Sequence, residues 1–193
     1  MTAQAEIWLI RHGETAWSLS GAHTSRTDLP LTVRGAEKAA QMGIALKRCD
    51  FALVLSSPMR RARETCEAAG FGNVAIIDPN LQELDYGDYE GRTTAEIQQE
   101  RPGWSLWRDG CPNGETFEHA GMRVESVIER ALQAEGAVAL FAHGHILRIL
   151  ASRWLGLAPE AARLFALSTA TFSTLGYERE TRVITRWNFT VSD

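Results

Sequence analysis

The stretch Ile7–Ser18 reads IWLIRHGETAWS. Four mostly apolar residues run straight into Arg11, His12, Gly13 and Glu14. A short apolar run of this kind reads as a buried strand, from Glu6 to Ile10. It drives an arginine and a histidine, side by side, to the carboxyl end of that strand. What this pair does depends on what the rest of the chain brings to the same edge.

Outward from it, the pattern alternates. PLTVRGAEKAAQMGIALKR reads as a helix, with Thr32 as N-cap and apolar Ala36, Ala39/Ala40, Gly43/Ile44 and Leu46 at helical spacing. FALVLSS gives a second strand, Phe51 to Ser56. PMRRARETCEAAG gives a helix that begins near Pro58 and stops at Gly70. VAIID is a third strand. The interval from Leu81 to Gly114 holds Gly, Pro and Trp and reads as irregular, with a short helix at Thr94 to Glu100. ETFEHAGMRVESVIERALQAE is a long amphipathic helix with an apolar stripe of Phe117, Gly121, Val124, Ile128 and Leu132. AVALFAHG is a fourth buried strand, followed at once by the helix HILRILASRWLG. ATFSTLGYERE and TRVITRWNF alternate as a hairpin.

Strands alternating with helices imply an α/β fold: a three-layer α/β/α sandwich with a mostly parallel central sheet and an antiparallel edge. Ligands of such sheets bind at the carboxyl ends of the strands. Three strand ends then deliver cationic or imidazole groups to one edge. These are Arg11-His12, the segment Ser56-Ser57-Pro58 leading to Arg60 and Arg61, and His143-Gly144-His145.

The 193 residues suit one domain spanning 1–193, with the irregular interval as a cap. Hydrophobic residues are 45% and charged residues 23%, ordinary for a globular protein. A net charge of -4 argues against a broad surface for nucleic acid. Cys49, Cys66 and Cys111 form no CxxC pair, which points to reduced thiols rather than a disulfide framework or a zinc site. The N-terminus lacks a basic signal-peptide region, and no apolar run approaches a membrane span. A soluble cytoplasmic protein without membrane partners is expected.

Two histidines and one or two arginines at strand ends make a concentrated anion site. Arginine matches phosphate with a planar fork of donors and keeps its charge. An unprotonated imidazole there is a nucleophile toward phosphorus. Gly13 and Gly144 carry no side chain, so backbone can approach a ligand. No Walker A, kinase or HExxH pattern occurs. Asp28, Asp78, Asp85 and Asp88 are separated in sequence, so a metal site stays open at this level. Metal-free phosphoryl chemistry, with arginines in the metal's electrostatic role, fits better.

LIRHGETAWS resembles the RHG signature of the histidine phosphatase superfamily, the phosphoglycerate mutase-like fold. The resemblance continues in order through HTSRTDLPLTVRG, LSSPMRRARETC, LQELDYGDYEG, GCPNGET and FAHGHILR, from Ile7 to about Asn188. It implies His12 as the nucleophile that becomes phosphohistidine, with Arg11 and Arg61 on the phosphate oxygens. Arg61 is chosen over Arg60 because the family's arginine precedes an alanine, here Ala62. It further implies that His143 contacts the phosphoryl group and that Glu83 gives a proton to the leaving oxygen. Glu83 then serves as base on the water that cleaves phosphohistidine. Glu90 and Asp88 are nearby alternatives for the acid. A protonated carboxyl beside an incoming dianion implies best activity at mildly acidic pH. No cofactor is implied, and a homodimer is common in the family.

The candidate substrate-binding residues are Ser18, Thr24, Tyr86, Gly144 and His145. Ser18 stands where mutases carry asparagine. His145 either lines the pocket or caps the next helix. Arg26, Trp17, Tyr86 and Trp107 are candidates for specificity, whereas His23 is read as a loop histidine without a catalytic part and His119 as surface. The tryptophans read as core or pocket wall. The interval Gly91–Gly114 is short and offers Arg92, Arg101 and Arg108 singly, without the paired-arginine element of mutases. The loops look most like the acid-phosphatase and sedoheptulose-bisphosphatase-like branch. The expected activity is therefore a monoester phosphatase on small phosphorylated metabolites. Phosphoglycerate mutase is one alternative, and a phosphoprotein phosphatase or phosphate-sensing regulator another.

Overall fold

A computed structural model describes residues 5–191 of the chain. Its centre is strand β1 (Ile7–Arg11), whose side chains alternate between two faces as strand geometry requires. Ile7 and Leu9 join one apolar cluster and Trp8 and Ile10 the other. This is why the opening stretch reads as a continuous apolar run: both faces of the strand are covered. On one side pack helices α2 (Val33–Leu46) and α3 (Arg60–Ala68), through Met42, Leu46 and Cys66. On the other pack α6 (Phe117–Leu132) and α7 (Gly144–Trp154), through Val124, Ile128, Ile146 and Leu150. The remaining helices are α1 (Ala16–Ser20), α4 (Thr94–Glu100) and α5 (Leu106–Asp109).

Six strands form one sheet in the order β3-β2-β4-β1-β5-β6. Here β2 is Phe51–Ser56, β3 is Ile76–Ile77, β4 is Ala137–Ala142, β5 is Phe172–Glu178 and β6 is Thr181–Phe189. β1, β2, β3 and β4 run parallel, while β5 pairs antiparallel with β1 and β6 with β5. The expected three-layer α/β sandwich with an antiparallel edge is what forms.

Several local expectations shift. VAIID contributes only Ile76 and Ile77 to the sheet, both exposed at its edge. Leu132 is exposed, because eight residues beyond Val124 it has turned about 80° off the buried face, and Ala131 takes its place. Ile44 is likewise exposed, while its neighbour Gly43 packs on α3. A Cβ on Gly43 would lie 2.4 Å from the Ala69 carbonyl oxygen. The interval Leu81–Gly114 is more ordered than its composition suggests. Besides the expected α4 it holds α5, and its Leu84, Tyr86, Tyr89, Ile97, Trp104 and Leu106 are buried in the same core as α6 and α7. α1 has no signal in the hydrophobic pattern of the sequence. It is fixed by a capping box between Thr15 and Ser18 and closed by Gly21 in the left-handed conformation.

The three cysteines are free, and burial raises the Cys66 thiol to about 12. Among the described residues no helix is long and apolar enough to cross a membrane.

Candidate active site

Strand register builds the site. Arg11 pairs with Ala142 in the β1–β4 ladder, and Ser56 pairs with Phe141 in β2–β4. The next residues along each strand, His12 and His143, therefore emerge side by side, with ring centroids 5.2 Å apart. The N–H of His12 donates to the Ala142 carbonyl at 2.9 Å, which carries the alignment one residue past the strand.

His12 is buried, and its Nδ1 lies 2.7 Å from the Gly13 carbonyl. With a carbonyl as partner, Nδ1 is the donor, so the Nε2 lone pair is left free. Burial, and then the charges of Arg11 and Arg61, hold the imidazole well below its ordinary pKa. It is a neutral base with its free nitrogen defined.

Arg61 is fully buried at the start of α3, where Arg60 is exposed and pairs with Glu64. Arg61 Nε donates to His143 Nδ1 at 3.1 Å, Nη1 to the Thr27 carbonyl at 3.1 Å, and Nη2 to the Thr24 and Ser25 carbonyls, each at 3.2 Å. Four of its five N–H donors are thus committed to the protein. Because His143 Nδ1 accepts, its proton resides on Nε2, which donates to Ser57 Oγ at 2.7 Å. Burial and the charge of Arg61 keep His143 neutral as well.

Arg11 Nη1 donates to the Leu167 carbonyl, and its Nε is a buried donor without a partner. Neither Arg11 nor Arg61 is ion-paired with a carboxylate among the described residues. Burial lowers the pKa of both guanidiniums, while the charge of Glu83 opposes that shift. Burying cations without a counter-ion is costly unless an anion joins them.

Glu83 is the carboxylate that reaches this cluster. Its Oε1 accepts from the N–H of Leu84 at 3.0 Å and of Ile146 at 2.8 Å. Its Oε2 accepts from the N–H of His145 at 3.1 Å. The amino end of α7 thereby aims the carboxylate. The two alternatives sit elsewhere. Glu90 accepts from the N–H groups of Ser25 and Thr27, holding the loop whose carbonyls hold Arg61. Asp88 accepts from Asn113 at 3.0 Å on the surface.

The expected substrate-binding residues divide. Ser18 Oγ is engaged within α1, accepting from the Thr15 N–H at 2.9 Å and donating to its carbonyl at 3.0 Å. Thr24 Oγ1 donates to the Ala22 carbonyl, and its own carbonyl anchors Arg61. The space a side chain would take at Gly144 is occupied by Arg11, whose Cζ lies 3.2 Å from the built Cβ. Gly13 is needed for packing against Gly35, whose carbonyl oxygen would lie 2.6 Å from a Cβ. Both glycines thus admit protein, and not the approach of a ligand to backbone expected from sequence. His145 is not a cap: His143 holds the N-cap position, and the His145 ring hydrogen-bonds the buried Tyr86 hydroxyl. Trp107 lies 5.1 Å and His23 6.3 Å from the His145 ring, so His23 belongs to this aromatic niche. His119 is exposed, as expected, and pairs with Glu115.

Beside Glu83 opens a cavity of about 690 Å³, lined by Ser25, Arg26, Asp85, Glu115 and His119 among others. Arg26 forms an ion pair with Asp85 there. His12, Arg11, Arg61 and His143 do not line it; Glu83 connects it to them. Among the described residues no three His, Cys, Asp or Glu side chains are grouped to hold a metal ion. Arg123 and Thr65 carry no role in the sequence, while Ser57 and Glu90 take structural roles there: Ser57 Oγ accepts from His143 and Glu90 holds the Ser25–Thr27 loop. Thr65 Oγ1 accepts from the Gly13 N–H at 2.9 Å and donates to the Arg61 carbonyl at 2.7 Å, joining two motifs. Ser57 was marked in the sequence by its place at a strand end and Glu90 by its place in the LQELDYGDYEG motif; Arg123 and Thr65 had no such signal.

Comparison with known proteins agrees with this geometry. The chain is 38% identical over 180 residues to an acid phosphatase of Mycobacterium tuberculosis, covering 91% of this chain and 88% of that protein. It is 37% identical to a sedoheptulose 1,7-bisphosphatase of Saccharomyces cerevisiae, covering 77% and 67% respectively. It is 30% identical to a protein of an Enterobacter species named "Probable phosphoglycerate mutase", covering 94% and 89%. A solved structure of an open reading frame from Mycobacterium tuberculosis superposes with a TM-score of 0.90 at 34% identity, over 96% of this chain and 98% of the other. The model of the histidine phosphatase superfamily, branch 1, matches residues 7–190. With the RHG strand end, the two arginines and the second histidine in one cluster, the chain belongs to the histidine phosphatase superfamily.

Proposed function

We propose that the chain hydrolyses phosphomonoesters of small metabolites through a phosphohistidine on His12, without a metal ion. The observation that carries this reading is the neutral His12, with Nε2 free, beside the fully buried Arg61 and the half-buried Arg11, neither of which has a carboxylate partner among the described residues. A phosphoryl group supplies the missing negative charge, and Arg11 Nε supplies an uncommitted donor.

In the first step His12 Nε2 attacks phosphorus in line with the leaving oxygen. The N–P bond forms, the P–O bond breaks, and the leaving oxygen takes a proton from Glu83. Arg11, Arg61 and His143 stabilise the charge on the transferring group. Arg61 also fixes the tautomer of His143. In the second step Glu83 takes a proton from water, which attacks the phosphohistidine and frees His12. The cavity beside Glu83 is where a leaving group would lie, and its walls are mostly polar side chains.

The arginines of the cap favour hydrolysis over mutase chemistry. Arg92 pairs with Glu100, Arg108 pairs with Asp109, and Arg101 donates to the Tyr89 hydroxyl. None is left to clamp a substrate carboxylate. The deciding experiment is phosphate release with EDTA present, from p-nitrophenyl phosphate, sedoheptulose bisphosphate, fructose bisphosphate, 3-phosphoglycerate and a phosphopeptide. Wild type should release phosphate, and His12→Ala should lose at least about 1,000-fold. Activity that needs added metal would contradict the reading. So would turnover of 3-phosphoglycerate with a bisphosphoglycerate primer and no phosphate release.

A further inference from the structure

Glu83 is held at both of its ends. Its carboxylate meets the amino end of α7, while its backbone is held by Arg123 of α6, a residue the proposed reaction does not use. Arg123 Nη1 donates to the carbonyls of Asn80 at 2.6 Å and Gln82 at 2.9 Å. Its Nη2 donates to the carbonyl of Glu83 itself at 3.3 Å. The same guanidinium forks onto Glu115, with Nε to Oε1 and Nη2 to Oε2 both at 2.7 Å. The Glu115 N–H in turn donates to the Asp85 carbonyl at 2.9 Å. One nearly buried ion pair, 12% and 9% exposed, therefore grips the loop on both sides of Glu83.

We propose that Arg123, locked by Glu115, is a positioning residue that sets the reach of the Glu83 carboxyl to the leaving oxygen. The proposal rests on the reading of Glu83 as the acid of a phosphohistidine-forming phosphatase. Only a planar fork of donors can serve three carbonyls and a bidentate carboxylate at once, so lysine is a partial substitute. Displacing a reacting group by about 1 Å costs about 100-fold. That loss should depend on the leaving group. An alkoxide must be protonated as the P–O bond breaks, whereas p-nitrophenolate departs as a stable anion.

The test is rapid-quench measurement of phosphohistidine formation from glycerol 2-phosphate and from p-nitrophenyl phosphate. It compares wild type with Glu83→Gln, Arg123→Ala, Arg123→Lys and Glu115→Gln. The ratio of the two rates within one preparation does not depend on the fraction folded. The alkyl-to-aryl ratio should fall about 100-fold in Glu83→Gln and Arg123→Ala, and about tenfold in Arg123→Lys. If Arg123→Ala does not fold, Arg123→Lys and Glu115→Gln decide. A ratio that falls in Glu83→Gln and stays at the wild-type value in the Arg123 and Glu115 variants overturns the proposal and leaves Arg123 a structural residue. A ratio unchanged in Glu83→Gln removes the acid that Arg123 is said to position. No phosphohistidine in wild type from either ester refutes the phosphatase reading itself, and the proposal falls with it.

Discussion

His12, His143 and His145 share one physical situation. His12 and His143 are buried and His145 largely so, which penalises an imidazolium, and each faces guanidinium charge: Arg11 and Arg61 at His12, Arg61 first at His143, Arg148 first at His145. All three are held well below the ordinary value of about 6.5. In the unfolded chain they take up protons near that pH; in the fold they do not. The unfolded state therefore gains protons first on acidification. The stability these histidines contribute is fully present above about pH 6.5 and is lost as pH falls below it, at up to about 1.4 kcal/mol per pH unit for each. Urea midpoints should fall from pH 7 to pH 5; a midpoint that rises over that range would contradict this. The same shift keeps His12, the proposed nucleophile, unprotonated in mild acid, so the acid limb of kcat/KM should lie well below the ordinary imidazole value.

At the scale of elements, backbone contacts without side chains hold the layers in register. α2 and α3 touch at Gly43, where a Cβ would stand 2.4 Å from the Ala69 carbonyl oxygen, and backbone cannot yield there as a side-chain tip can. Gly43→Ala should lower unfolding free energy by about 1–3 kcal/mol in urea titrations. It should leave kcat per folded molecule near wild type, because Gly43 lies in the α2–α3 interface and touches none of the site residues. An equally stable variant would show that the helices slide apart freely. Gly13 and Gly35 meet in the same way directly behind the site, the built Cβ of Gly35 lying 2.3 Å from the Glu14 carbonyl oxygen. The glycine of the RHG motif is thus a packing requirement of the loop that carries His12.

At the scale of the whole molecule, the cap interval and the sandwich share a core. Tyr86, Tyr89, Ile97, Trp104 and Leu106 pack in one cluster with the inward residues of α6 and α7. The cap therefore has no separate core to lose. Unfolding followed by tryptophan fluorescence and by far-ultraviolet circular dichroism should give one coincident transition. Trp104, nearly fully buried with its Nε1 donating to the Gly110 carbonyl, should cost about 3–5 kcal/mol when changed to alanine. An early fluorescence transition ahead of the loss of secondary structure would show that the cap melts alone.

The sequence by itself determined the strand–helix alternation, α4, the Thr32 cap, the hairpin and the strand-end placement of Arg11, His12 and His143. These depend on periodicity and punctuation within a few residues, which a linear chain displays. It also distinguished Arg61 from Arg60 through the motif, a choice that burial matches. Tertiary structure alone decided the rest. Whether Ile76 and Ile77 join the sheet depends on a neighbour strand, and whether Leu132 is covered depends on how far α6 has turned. The separation of Glu83 from Glu90 and Asp88 required the amino end of α7, 62 and 63 residues on, to receive one carboxylate and leave the others to Ser25 and Asn113. Arg123 gave no signal, because an arginine on an amphipathic helix looks solvated until the loop it grips is folded against it. Hydrogen bonds between distant segments carry no periodicity, so only the assembled fold shows which polar groups meet.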